Sequence, residues 1–75
     1  MKTLKDLEIG QVATIKNLRS GDPEYRQRLI MLGLLPGTDI KIVRVAPLGD
    51  PMQVCVRSSM ILMRRDDAQM VELES

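Results

Sequence analysis

The sequence predicts a mainly β fold, a small antiparallel barrel or sandwich of about five strands with one α-helix inserted after the first strand. Two observations support this. Apolar residues alternate over short runs, and Gly, Pro, Asp and Ser separate the runs. One segment instead has helical spacing with a clear start and stop. The 75 residues are expected to form one domain, residues 1–75.

The first strand and the helix are predicted from local signals. Residues 11–18, QVATIKNL, are rich in β-branched side chains and end at the breaker RSGDP. Asp22-Pro23 predicts a helix start, because Asp can accept a backbone N–H and Pro needs no donor in the first turn. Gly33 suits the position after a helix, where a left-handed backbone is common. The helix is therefore expected from about Pro23 to Leu32.

Burial is predicted from the same spacing. Leu29 and Leu32 share one face of the helix and are expected to be core residues. Leu4, Leu7 and Ile9 are expected to anchor a short lead-in before the first strand. With one Tyr and no Trp or Phe, the core must be aliphatic.

The remaining strands follow in order and are joined by tight turns. TDIKIVRVA changes the phase of its alternation midway, which predicts a bend or a bulge. MQVCVR alternates cleanly, with Met52, Val54 and Val56 on one face. MILMR is apolar on both faces and is therefore predicted to be a central strand. RDDAQ is expected to form one helical turn before the last strand, MVEL.

The composition argues against an enzyme, and no catalytic residue, metal site or cofactor is predicted. The chain has no His, so its single Cys cannot form a Cys–His pair. The close acidic pairs, Asp22/Glu24 and Asp66-Asp67, are flanked by arginines and are expected to be solvated cap or turn residues. A net charge of +1 and a single aromatic residue argue against a nucleic-acid partner and against a proline-rich peptide groove.

The sequence predicts a cytoplasmic protein without a membrane span. A lone cysteine excludes an internal disulfide and fits the cytoplasm, and no apolar run approaches the length of a membrane span.

The stretch LIMLGLLPGTDI, residues 29–40, is unusually apolar. A small barrel cannot bury all of residues 29–35 plus both faces of residues 60–63. Part of this stretch is either an exposed patch or additional core, and the sequence leaves both open.

The motifs RLIMLGLLPG and VRVAPLGDP, then an apolar strand into RRDDA and a final VEL, resemble the ferrous iron transport protein A family over about residues 3–74. The resemblance implies an SH3-like barrel with the helix inserted after the first strand. It also implies a small cytoplasmic protein that supports ferrous iron uptake by binding the cytosolic G domain of the membrane transporter. The matching residues Leu32-Gly33, Pro36-Gly37 and 47–51 are expected to form turns.

A protein of this kind acts through contact, so the end of the helix, the following turn and the loop at 47–52 are predicted to form one partner-binding surface. Its residues are Ile30, Met31, Leu34, Leu35, Pro36, Leu48 and Met52. The protein would touch the membrane only through its partner, and self-association is compatible with the sequence. The alternative is a metal-responsive accessory domain related to the C-terminal domain of metal-dependent transcriptional repressors.

Overall fold

The computed structural model describes residues 2–19 and 22–74. The elements in chain order are a 3-10 turn (Leu4–Asp6), β1 (Val12–Leu18), α1 (Pro23–Met31), β2 (Asp39–Val45), β3 (Met52–Val56), β4 (Ser59–Met63), α2 (Arg65–Ala68) and β5 (Val71–Leu73). The five strands form one antiparallel sheet in the order β4-β3-β2-β1-β5. The predicted strand number and inserted helix are confirmed. Ser20 and Gly21 of the predicted break lie outside the described residues.

Both ends of α1 are capped by the residues that predicted them, Asp22 and Gly33. At the start, the Glu24 N–H donates to Asp22 Oδ1 at 3.0 Å, and Pro23 is the first helical residue. At the end, Gly33 has φ +108°, and the Leu34 N–H donates to the Leu29 carbonyl oxygen at 3.0 Å. This is a Schellman ending, which turns the chain back toward the barrel immediately after the helix.

Replacing Asp22 with alanine is expected to lower the free energy of unfolding by about 1 kcal/mol, because the first turn of α1 loses its side-chain acceptor. Urea unfolding followed by circular dichroism would measure the change. Asp22→Asn keeps an acceptor oxygen and should stay close to the parent protein. Equal losses in both variants would contradict a capping role and point to the carboxylate charge instead.

The predicted irregularity in β2 is a bulge at Val43. Ile42 pairs with Val54 and Arg44 pairs with Gln53, so Val43 has no residue opposite it. An extra residue bends and twists a strand. This bend lets β2 pair with β1 at its start and with β3 along its length.

The core is aliphatic, as predicted, and fills the inner side of the curled sheet. Its fully buried side chains include Leu4, Ile15, Leu29, Leu34, Ile40, Ile42, Val54, Val56, Met63 and Val71. Two residues predicted as core are instead exposed, Ile9 at 60% and Leu32 at 39%. Ile9 lies in a turn that is held by its backbone, through the Gly10 N–H and the Ile42 carbonyl oxygen. Leu32 caps the helix, and the Schellman turn gives the core position to Leu34.

The prediction that residues 60–63 form a central strand is wrong. β4 lies at the edge of the sheet, and within residues 2–19 and 22–74 it pairs with β3 alone. After β4 the chain passes through α2 and crosses to the opposite edge, where β5 pairs with β1. Ile61 and Met63 point into the core, whereas Met60 and Leu62 stay exposed.

Candidate partner-binding surface

The seven predicted partner-binding residues differ sharply in exposure. Leu48 is 97% exposed and Met31 is 78% exposed, and Pro36 is also exposed. Ile30 and Leu35 are half-buried, and Ile30 packs against the core. These five residues have side-chain surface that a partner can reach.

Leu34 and Met52 are core residues, so their assignment to a surface is wrong. The Schellman ending directs Leu34 inward, and its side chain is 0% exposed. Met52 begins β3 on the same inward face as Val54, opposite the buried Met63, and it is 4% exposed. A side chain that the barrel encloses cannot contact a partner while the fold is intact.

The five accessible residues lie in two places. The end of α1 packs beside the β3–β4 turn, since a Cβ on Gly33 would lie 3.6 Å from Val56 Cγ1 and from Arg57 Cδ. Leu48 lies in the β2–β3 loop, at the other end of β3. Five extended residues span roughly 13 Å, so the predicted single surface is divided. We add the exposed Leu32, which was predicted as a core residue, to the part at the helix. We call this set the helix-end surface, and its residues are Ile30, Met31, Leu32, Leu35 and Pro36.

A second apolar region, missed by the sequence reasoning, lies on the outside of the sheet. Cross-strand pairing aligns Lys41, Cys55 and Met60 in one row and Arg44, Gln53 and Leu62 in the next. We call these six residues the outer sheet face. The signal for it was present in MILMR, whose second apolar face was attributed to a central position. Only the strand order shows that this face is uncovered by the rest of the described chain.

An open pocket of about 660 Å³ lies where α1 begins beside α2. Its lining residues are Arg19, Asp22, Tyr25, Asp66, Asp67, Gln69 and Met70. Asp22 caps the helix, as predicted for a cap residue, and the Asp67 carboxylate lies near enough to the Tyr25 phenol to influence its pKa. In the described part of the chain, no group of three His, Cys, Asp or Glu side chains is placed to hold a metal ion.

The pKa of Tyr25 is expected to lie above its ordinary value of 10.0, because burial and then the Asp67 carboxylate favour the neutral phenol, against the opposing effect of Arg28 and Arg64. The folded protein therefore holds this proton more tightly than the unfolded chain does. The resulting stabilisation is complete below about pH 10 and is lost as the pH rises through the folded pKa. Absorbance titration measures this directly, since Tyr25 is the only tyrosine.

Asp67→Asn is the matched control for this titration. It removes the carboxylate charge but keeps the burial, so the Tyr25 midpoint should fall toward 10.0. A midpoint in the folded protein at or below that of the urea-unfolded chain would contradict the described environment of the phenol.

No helix in the described part of the chain has the length and apolarity needed to cross a bilayer. A family model described as the FeoA domain matches residues 2–75. A curated relative from Porphyromonas gingivalis, described as an Fe(2+) transport protein A/Fe(2+) transporter FeoB fusion protein, is 32% identical over 71 residues. The match covers 95% of this chain but only 8% of the relative, so the chain spans a small part of that protein.

Solved structures show the same fold. The solution structure of the FeoA protein from Chlorobium tepidum is 35% identical, with a TM-score of 0.89 over 96% of this chain and 68% of that one. Zinc-complexed FeoA from Stenotrophomonas maltophilia, described as an SH3 domain protein, is 23% identical, with a TM-score of 0.87 over 99% and 91% of the two chains. A manganese-dependent transcriptional repressor shares only the fold, at 15% identity and a TM-score of 0.84 over 99% and 41%. The SH3-like barrel is confirmed.

Proposed function

The chain belongs to the FeoA domain family, and on this premise we propose that it is a non-enzymatic, cytoplasmic accessory protein of ferrous iron uptake. It acts by binding the cytosolic G domain of the membrane transporter. The fusion relative is the observation that supports this proposal, since it joins the two components in one polypeptide. A fusion holds its parts at high effective concentration, which is an advantage when the parts act in contact.

The contact is assigned to the helix-end surface. Met31 and Pro36 are exposed, Leu35 is half-buried, and the half-buried Ile30 packs against the core. Methionine is flexible and polarisable and adapts to a partner surface. Leu48 lies at the other end of β3 and is therefore left out of the helix-end surface.

A titration of the isolated G domain into the nitrogen-15-labelled protein, with and without guanine nucleotide, tests the proposal. We expect amide shifts at Ile30, Met31, Leu32 and Leu35, because these backbone groups border the contact. An absence of shifts at concentrations well above the micromolar range would contradict G-domain binding. Shifts confined to residues outside the helix-end surface would support binding of the G domain but contradict the location of the contact.

The likeness in fold to a manganese-dependent repressor favours a metal-responsive domain as the second candidate. A sensor needs a saturable metal site, whereas a contact domain does not. Titration with Mn(II), Fe(II) and Zn(II) under reducing conditions separates the two. Saturable binding that changes the same amides for each added metal would favour the sensor.

A further inference from the structure

We propose that the outer sheet face is a docking surface for an acidic segment of a protein partner, one that also presents apolar side chains. The inference is independent of the proposed function, because it rests on a different surface and names its partner by chemistry alone. It follows from three features of the face, which are its exposed apolar residues, its positive charge and its poor fit to other occupants.

The apolar part of the face is the outward side of β4. Met60 is 53% exposed and Leu62 is 70% exposed, while the intervening Ile61 is buried at 8%. The half-buried Cys55 of β3 lies beside Met60 and extends the apolar region inward along the sheet. Large apolar side chains that adjoin on an otherwise polar surface are typical of interaction sites.

The polar part of the face is positive. Lys41 lies in the row of Met60 and Arg44 in the row of Leu62, each two strands away and therefore about 10 Å distant. Both cations are exposed, and their alkyl stems can lie along the apolar surface. The two rows contain no acidic residue.

The border of the face includes one carboxylate, which lowers its positive charge. Arg57 and Arg64 flank β4, but the Arg57 side chain lies beside Gly33 and Arg64 acts on Tyr25, so neither adds its charge to the face. Asp39 begins β2 at the border, where its Oδ1 accepts a hydrogen bond from the Thr14 hydroxyl at 3.0 Å. Because Asp39 lies two residues from Lys41 on the same side of β2, the two cations and this one carboxylate leave a net charge of +1 beside the apolar residues, which favours acidic groups of a partner.

A second copy of this chain fits the face poorly. A two-fold dimer brings the same patch of both subunits together, so two patches of the same net positive charge would meet. Like charges at an interface oppose association. An anionic membrane would satisfy the charge, but surface-bound proteins commonly insert aromatic side chains. The only aromatic residue, Tyr25, lies in the pocket beside α2 instead.

The test is a selection of random displayed peptides against the intact protein. Enriched peptides are then synthesised and titrated into the nitrogen-15-labelled chain. We expect them to combine Asp or Glu with Leu, Ile or Val, to shift the amides of Cys55, Met60 and Leu62, and to bind more weakly as salt rises. Lys41→Glu combined with Arg44→Glu should weaken binding by at least about tenfold.

The apolar half is tested by Met60→Thr combined with Leu62→Thr, which keeps strand propensity and should also weaken binding at least about tenfold. Leu48→Thr is the matched control, since it alters a leucine that is 97% exposed outside the face and should leave affinity unchanged. Circular dichroism and thermal melting check that each variant folds.

Four results would overturn the proposal. They are a selection that yields no peptide, peptides without acidic residues, peptides that bind the charge-reversed or threonine variants as well as the parent, and peptides that shift amides elsewhere. If the protein sediments with phosphatidylglycerol vesicles and this depends on Met60 and Leu62, the face binds an anionic membrane and not a protein partner. If sedimentation velocity shows a dimer for the parent and a monomer for the threonine variants, the face binds a second copy of this chain.

Discussion

Replacing Leu34 with alanine is expected to destabilise the protein by about 3 kcal/mol, because the side chain is fully enclosed and the barrel cannot collapse completely around the cavity. For a domain of this size, that loss lowers the melting temperature by roughly 12 to 24 °C. It is also a large share of the total stability, since small domains are stable by only about 5 to 15 kcal/mol. Thermal melting followed by circular dichroism measures the effect.

Leu48→Ala is the matched control, because it makes the same chemical change at a leucine that is 97% exposed. Its effect on the free energy of unfolding should stay within about 0.5 kcal/mol. Similar melting temperatures for the two variants would mean that Leu34 is not enclosed as described. Leu34 would then be accessible at the end of the helix and would again be a candidate partner-binding residue.

Replacing Met31 with aspartate is expected to weaken binding of the G domain by at least about tenfold while the fold is unchanged. Met31 is 78% exposed, so a carboxylate there stays hydrated in the free protein and becomes unfavourable only when a partner covers it. Isothermal titration calorimetry with the isolated G domain gives the affinity. Leu35→Asp is a poorer test, because Leu35 is half-buried and a charge there also perturbs the barrel.

Met60→Asp is the control for this binding experiment. It places the same charge at an exposed methionine on the outer sheet face, away from the helix end. Its affinity for the G domain should equal that of the parent protein. If Met60→Asp weakens binding and Met31→Asp does not, the G domain contacts the sheet and the helix-end surface is refuted.

Much of the fold could be predicted because its signals are local. Asp22-Pro23 and Gly33 set the ends of α1 through groups only a few residues apart. The phase change in β2 predicted a bulge, because side chains of a strand alternate strictly and an extra residue is needed to change the inward face. The clean alternation of Met52, Val54 and Val56 likewise put these residues on one face of β3, and the structure shows this face to be buried.

The candidate site was predicted less well, since exposure depends on neighbours that are distant in sequence. Helical spacing placed Leu32 in the core, but the turn at Gly33 gives that place to Leu34. Met52 was assigned to the partner surface, although its alternation put it on the same face as Val54 and Val56, which the barrel encloses. Leu48 was grouped with the helix end, but the length of β3 separates them.

The elements, their order, the aliphatic core and the ends of the helix follow from the sequence, because each depends on composition or on backbone preferences and periodicity within a few residues. Which apolar residues are exposed depends instead on the arrangement of the strands. MILMR has two apolar faces whether its strand is central or at an edge, and the order β4-β3-β2-β1-β5 leaves the face of Met60 and Leu62 uncovered. Strand order depends on how α2 returns the chain to β1, and no local pattern encodes that path.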